Sequence, residues 1–270
     1  MKKEDTLIFA QITDTHIVPT NKKWVSIESS IMANRLREVV QEINAFNPKP
    51  KFVIHTGDIV DYGDAEAYRL AKSILDELSM PYYIIPGNHD SRTELHQVFR
   101  QEHMYLKQNA NFNYVLGEHA VNFVMLDTLV PQNSHGLIDD KTLGWMQMIL
   151  DEDKERPAIL CMHHFPCRVI HKLFNDIALR NADAFKEFLK ERKQIIAILA
   201  GHYHVATNAM FAGKNCWISP SVAPTHYFDH ADAETFSAVR MGLPSFTLHT
   251  YNTTDGLTST AITVGANTPR

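Results

Sequence analysis

Five short clusters rich in Asp, His and Asn punctuate the chain: Asp14-Thr-His16, Gly57-Asp58, Gly87-Asn88-His89-Asp90, His163-His164 and Gly201-His202-Tyr203-His204. Carboxylates, imidazoles and amide oxygens are the usual ligands of divalent cations of borderline hardness. Taken singly, each cluster has an ordinary reading. Asp-x-His is commonly a turn or a cap, an Asp after Gly is a turn residue, and so is an Asn. Five such clusters in one chain, each after an apolar run, point instead to a shared site for metal-assisted hydrolysis. At a strand end, alternate side chains point the same way. Asp14 with His16, or His202 with His204, could then grip one ion.

The elements that must hold these clusters are visible as short apolar, β-branched runs: Leu7 to Ile12, Phe52 to Ile54, Tyr82 to Ile85, Ala158 to Cys161 and Ile195 to Leu199. Such runs read as buried strands, and ligands of α/β folds bind in loops at the carboxyl ends of strands. Between them, helical spacing covers Ile27 to Phe46, stopped at Asn47-Pro48, and Asp64 to Leu78 with Asp64 as N-cap. A third helix starts after Ser91, with Glu94 completing a capping box. Asn113 to Leu116 and Val121 to Asp127 read as an antiparallel pair, and Asp140 to Leu150 and Ala182 to Arg192 as helices. After His204 the pattern turns to strands: Asn208 to Phe211, Asn215 to Ile218 across an Ala212-Gly213-Lys214 turn, Ser245 to Tyr251 and Leu257 to Val264. The alternation predicts a layered α/β fold. No repeat or linker divides the chain, so 1–270 reads as one domain. Residues 165–180, weakly periodic and directly after a cluster, read as a cap insertion; the plainer reading is a surface loop with one short helix.

Composition narrows the function. The net charge of −5, with no Lys/Arg run longer than two, argues against a nucleic-acid polymer as partner, because phosphate neutralisation needs a basic patch. No run approaches the ~20 apolar residues of a membrane span, and the short strand near the N-terminus does not read as a signal peptide. Three cysteines, Cys161, Cys167 and Cys216, form no CxxC pair and no even framework, which fits a reducing compartment. The expectation is a cytoplasmic protein that makes no membrane contact.

Together, the five clusters from Asp14 to His204 resemble the five blocks of the calcineurin-like metallophosphoesterases. The resemblance runs from about residue 7 to 228. Pro86 to Arg92 (Pro-Gly-Asn-His-Asp-x-Arg), Gly136-Leu-Ile-Asp139 before a helix carrying Trp145, and Ser219 to Pro224 make the class III cyclic-nucleotide phosphodiesterases and the bacterial glycerophosphodiesterases the nearest branch. The resemblance implies a four-layer αββα sandwich, two mixed sheets flanked by helices. It implies one metal on Asp14, His16 and His204, a second on Asn88, His163 and His202, and Asp58 bridging both. It puts His163 rather than its neighbour His164 on the metal. Two ions of the Mn, Fe, Zn or Co class, about 3.5–4 Å apart, would clamp a phosphoryl group and turn water into hydroxide near neutral pH.

Beyond the ligands, the resemblance makes His89 the residue that meets the phosphate or protonates the leaving oxygen. Asp61 would hold His89 charged, because a nearby carboxylate raises an imidazole's pKa. Asn88 and His226 would face the substrate. Arg92 could reach a phosphate oxygen through bidentate bonds, and Phe165, Tyr203, Tyr227 and Phe228 could wall a base. The resemblance further implies a homodimer or larger homo-oligomer, with contacts from residues 227–241. The resulting expectation is a phosphodiesterase acting on a small diester, a 3′,5′-cyclic nucleotide or a glycerophosphodiester. The alternatives are a phosphomonoesterase or nucleotide pyrophosphatase at the same site, a DNA-repair nuclease, disfavoured by the acidic balance, and a non-catalytic scaffold of the same fold.

Overall fold

Pleat alternation sorts the apolar runs into layers. In the run Leu7–Ile12, Ala10 and Ile12 join one cluster of buried side chains while Phe9 joins another. In Ala158–Met162, Ala158, Leu160 and Met162 point one way and Ile159 and Cys161 the other. Strands buried on both faces have no polar face, which is why these segments are apolar apart from Gln11. The computed structural model describes residues 6–107, 111–226 and 239–265.

The first half of the chain comprises β1 (Leu7–Ile12), β2 (Lys23–Trp24), β3 (Ile27–Glu28), α1 (Ser29–Ala45), β4 (Val53–His55), α2 (Ala65–Leu75), β5 (Tyr82–Ile84), α3 (Arg92–Phe99), β6 (Tyr114–Leu116) and β7 (Asn122–Leu126). The second half comprises α4 (Asp140–Glu152), β8 (Ala158–Met162), α5 (Lys172–Asp176), α6 (Ala182–Lys190), β9 (Ile195–Ala200), β10 (Thr207–Phe211), β11 (Lys214–Ile218), β12 (Thr225–His226), β13 (Val239–Arg240), β14 (Ser245–Asn252) and β15 (Gly256–Thr263). One mixed sheet has the order β15-β14-β1-β4-β5, with β1, β4 and β5 parallel. The other has the order β10-β11-β9-β8-β7-β6, parallel from β11 to β7 and antiparallel at both edges.

Helices α1, α2 and α3 cover the outer face of the first sheet through Leu36, Val40, Tyr68, Ile74 and Phe99. Helices α4 and α6 cover the second sheet through Met146, Leu150, Phe185 and Leu189. Between the sheets lie Phe9, Phe52, Ile54, Phe123, Ile159 and Leu199. The arrangement is helix, sheet, sheet, helix, as the resemblance implies.

Local signals act as expected at several points. The Asp64 carboxylate caps α2 by accepting from the backbone N–H groups of Glu66 and Ala67, and Ser91 caps α3 by accepting from Glu94 N–H. At the start of α1 the outcome differs: Ile27 belongs to the β2–β3 hairpin and the helix begins at Ser29. The segment 165–180 is anchored at its base by Leu179 N–H donating to the Phe165 carbonyl at 3.1 Å. It carries one short helix, α5. No helix among the described residues is long and apolar enough to cross a membrane.

Candidate metal centre and cleft

All five clusters meet at one end of the two sheets, where β1, β4, β5, β8 and β9 terminate. The backbone departs from strand geometry at these exits. Asp14 (φ 52°), His16 (φ 42°), Asp58 (φ 52°), His202 (φ 72°) and His204 (φ 62°) all occupy the left-handed region. They make up five of the eight non-glycine residues with positive φ among the described residues. Such conformations are costly for L-residues, and they concentrate at functional sites. Asp14 and His16 therefore converge because the backbone turns back on itself, and not through strand pleating, whereas His202 and His204, expected to grip one ion, part toward different donor groups.

The turns nest backbone against backbone. A methyl group added at Gly57 (φ 97°) would lie 2.6 Å from Gly87 N, and one at Gly87 would strike the Asp58 carboxylate. Asp90 fixes the loop geometry: its buried carboxylate accepts from Gly87, Ile59 and Val60 N–H groups and from the Tyr68 hydroxyl. Burial, followed by the charge of Asp58, pushes the Asp90 carboxyl up to about 6.

The donor atoms form two facing groups. In the first, His16 Nε2 lies 3.2 Å from His204 Nε2, and His204 Nε2 lies 3.4 Å from Asp14 Oδ1. In the second, His163 Nε2 lies 3.2 Å from both Asn88 Oδ1 and His202 Nδ1. Asp58 Oδ2 sits between them, 3.2 Å from His163 Nε2 and 3.7 Å from His16 Nε2. The far ring nitrogens are committed. His163 Nδ1 donates to the Thr56 carbonyl at 2.7 Å, His204 Nδ1 to the Pro224 carbonyl at 3.3 Å, and His16 Nδ1 to Asp61 Oδ1 at 3.0 Å. Each of these bonds directs the Nε2 lone pair into the site.

The set fits cations. Asp14 Oδ1 is buried without a hydrogen-bond partner, although Asp14 Oδ2 accepts from Thr13 and from His202 N–H. Burial by itself would raise Asp14 and Asp58, yet the imidazoles around them hold both well below the usual carboxylate range. Burial and the neighbouring His163 lower His202 to about 3, which leaves its imidazole neutral at physiological pH. His163 is raised to about 9, because the charge of Asp58 overcomes the opposing effect of burial. His164 is buried as well, with its Nδ1 engaged with the Thr128 hydroxyl at 2.7 Å, and its ring forms a further group of close donor atoms with His163 and His202.

His89 Nδ1 donates to both the carbonyl (3.0 Å) and the Oδ1 (3.2 Å) of Asp61, and its backbone N–H donates to Asp58 Oδ1. Burial opposes protonation of His89, but Asp58 and Asp61 outweigh it and push the imidazole up to about 10. The Asp61 carboxylate thus serves two imidazoles, His16 and His89, where the sequence reading gave it only one. Above the donors opens a cleft of about 410 Å³ lined by His16, Asp58, Asp61, Asn88, His89, His202, His204 and His226, with Trp24, Val25, Tyr62, Ser134, Phe174 and Ile177. The His226 ring lies 4.8 Å from that of His204, centroid to centroid.

Two expectations are corrected. Arg92 does not turn toward the donors. Its guanidinium makes a bidentate pair with buried Asp127 at 2.6 and 2.7 Å and donates to the Leu129 carbonyl at 2.7 Å. It lines a separate hollow of about 720 Å³ with His96 and Arg100, which none of the seven expected metal ligands lines and which, of the clustered residues, only Asp90 borders. Phe165 and Tyr203 are core residues packed on β8 and β9 rather than walls of the cleft. Tyr227, Phe228 and most of the stretch 227–241 lie outside the described residues.

The sequence reading missed the β2–β3 hairpin. Its Trp24 ring lies 5.3 Å from His16 and 6.3 Å from His204. It also missed a buried polar chain between the sheets, in which His249 Nε2 meets Gln11 Oε1 and Gln11 Nε2 donates to Thr56 Oγ1. Two-residue strands carry no periodicity, and the hairpin's only signal is a tryptophan between the first cluster and a helix.

A family model described as calcineurin-like phosphoesterase matches residues 7–206. Over 264 residues the chain is 26% identical to a probable glycerophosphodiester phosphodiesterase of Arcobacter nitrofigilis, covering 96% of this chain and 94% of that protein. Over 221 residues it is 31% identical to a probable cyclic nucleotide phosphodiesterase of Rhodococcus erythropolis, covering 79% of this chain and 70% of that one. Among solved structures, a dimetal phosphatase from Danio rerio superposes with a TM-score of 0.66 at 14% identity, covering 96% of this chain and 99% of the other. At that identity the likeness speaks to the fold alone.

Proposed function

The chain belongs to the calcineurin-like phosphoesterase family, and on that premise we propose that it is a binuclear-metal phosphodiesterase for a small diester, a 3′,5′-cyclic nucleotide or a glycerophosphodiester. The observation that carries this reading is the single Asp58 Oδ2 placed between two facing donor groups. Asp14, His16 and His204 would hold one ion, Asn88, His163 and His202 the other, and Asp58 both. Imidazole and oxygen donors without thiolate suit Mn, Fe, Zn or Co. When bound, such a pair neutralises charge on the phosphoryl oxygens and lowers the pKa of water to near neutrality.

The chain's own residues do the rest. The Asp61 carboxylate holds a proton on His89 at the mouth of the donor cluster, where it can be given to a leaving alkoxide. Asn88 contributes a neutral oxygen and adds no negative charge near an incoming phosphate. His226, kept neutral by burial and the neighbouring His204, offers a ring nitrogen to the substrate. Phe174 and Ile177, from the proposed cap 165–180, close one wall against water. We place the protein in the cytoplasm, since its three cysteines are free thiols, and expect a homodimer or larger assembly.

A phosphomonoesterase or pyrophosphatase would use the same donors. The test is a hydrolysis panel of cyclic nucleotides, glycerophosphodiesters and monoesters on chain reconstituted with Mn²⁺. Diester turnover well above monoester turnover supports the reading. The reverse order gives the site to monoesters, and no turnover of any substrate supports a scaffold.

A further inference from the structure

Val25 is at odds with its own backbone. It is the first of the two residues that join β2 to β3, a hairpin in which Lys23 pairs with Glu28 and Trp24 with Ile27. Its φ is 56°. With positive φ at the first position of a two-residue hairpin loop, glycine is the favoured residue. A β-branched side chain there is a steric outlier. Core packing could offset the strain, but Val25 is 69% exposed, so packing does not hold it there.

What Val25 has is position. It stands on the lip of the cleft beside Tyr62, itself 53% exposed, and Trp24, Phe174 and Ile177 continue the apolar surface inward. The Tyr62 hydroxyl donates to the Lys23 carbonyl at 3.4 Å, tying the loop after β4 to the hairpin. The Lys22 ammonium lies 5.0 Å from the centre of the Tyr62 ring. Trp24 sets the hairpin against the rings of His16 and His204. The lip therefore stands in fixed relation to the atoms that would bind the phosphoryl group.

We propose that Val25 and Tyr62 form a specificity lip that receives the organic arm of the diester and favours a planar apolar arm, such as a nucleobase, over a glycerol arm. A strained residue that persists without packing support is expected where function holds it. The valine methyls and the face of the phenol ring offer apolar contact area, and the Tyr62 hydroxyl is directed at the Lys23 carbonyl, so the pair has little to offer a polyol. This inference rests on the phosphodiesterase reading and adds the substrate class to it.

The test uses the full chain reconstituted with Mn²⁺ and two substrates, cyclic AMP and glycerophosphoethanolamine. Asn and Gly both tolerate positive φ, so Val25→Asn and Val25→Gly relieve the strain while removing the apolar contact. The thermal midpoint should not fall in either variant and should rise by about 2 °C in Val25→Asn. KM for cyclic AMP should rise about fivefold, the scale of desolvating part of one valine. KM for the glycerophosphodiester should move by less than about twofold, and the effect should fall on KM more than on kcat. Tyr62→Ser should shift the ratio in the same direction. A lower thermal midpoint in both Val25 variants would make Val25 a structural residue and overturn the proposal. An unchanged KM ratio with turnover retained would overturn the lip alone. A wild-type chain that turns over neither diester would overturn the phosphodiesterase reading, and the lip with it.

Discussion

Replacing Asp61 with Asn isolates the electrostatic part of the site. The Asp61 carboxylate accepts from His89 Nδ1 at 3.2 Å and from His16 Nδ1 at 3.0 Å. An amide in its place would still offer one oxygen but no charge. Two unit charges about 4 Å apart interact by about 4 kcal/mol at an effective dielectric of about 20. The His89 side chain, however, is 41% exposed, so solvent screens the pair strongly. The difference between a charge-assisted and a neutral hydrogen bond, about 1.4 kcal/mol, is the better measure, and it equals about one pKa unit. The sign follows from the geometry: Asp61 raises His89, so its loss lowers the His89 pKa.

A general acid is lost as pH rises through its pKa, so the basic limb of kcat/KM should move about one unit toward lower pH in Asp61→Asn. The assay is a pH–rate profile at saturating Mn²⁺ with a poor alkoxide and a good phenolate leaving group. The shift should be clear for the first and small for the second, because a good leaving group needs no proton. Metal affinity should weaken by about 10-fold as well, through loss of the His16 orientation, which is why the metal must be saturating. An unmoved basic limb, or equal losses for both leaving groups, would refute the reasoning and reduce Asp61 to a metal-site support.

Three further outcomes are expected. His89→Ala should keep its metal content and lose about 10²- to 10⁴-fold in kcat on poor leaving groups; metal analysis alongside single-substrate kinetics checks this. Arg92→Ala should cost about 3 kcal/mol in denaturant unfolding, since it strands the buried Asp127 carboxylate, and should leave KM for the diester within about twofold. His249, lowered by burial from 6.5 to about 3, makes the unfolded chain bind more protons between those values. Stability should therefore fall by about 1.4 kcal/mol per pH unit below about 6, for this residue alone. His249→Gln should remove that contribution from the slope, as read from urea unfolding at several pH values.

The layers of the fold were legible because core strands buried on both faces read as nearly unbroken apolar runs, as in Ile195–Ala200. The donors were legible because they follow those runs directly in sequence. The manner of their convergence was not. Nothing local in Asp14-x-His16 announces two left-handed residues in place of a pleat, because that conformation is imposed by the nested turns at Gly57 and Gly87. Arg92 misled because its partner, Asp127, lies 35 residues away and becomes a neighbour only through the fold. His55 and His249 gave no sign either. A buried histidine whose role is to bond Thr15 or Gln11 looks, in sequence, like any other. The Trp24–Val25 hairpin was missed because two-residue strands have no period to read.

The central claim is that one carboxylate, Asp58, joins two cations at these strand ends. The most direct measurement is titration of metal-stripped chain with Mn²⁺, followed by metal analysis and electron paramagnetic resonance, with turnover of a small diester recorded in parallel. Two ions per chain, an exchange-coupled signal and turnover that appears with the second ion are the results expected, with all three lost in Asp58→Ala. A single bound ion, two uncoupled ions, or an Asp58→Ala chain that keeps both the coupled signal and its turnover would contradict the account.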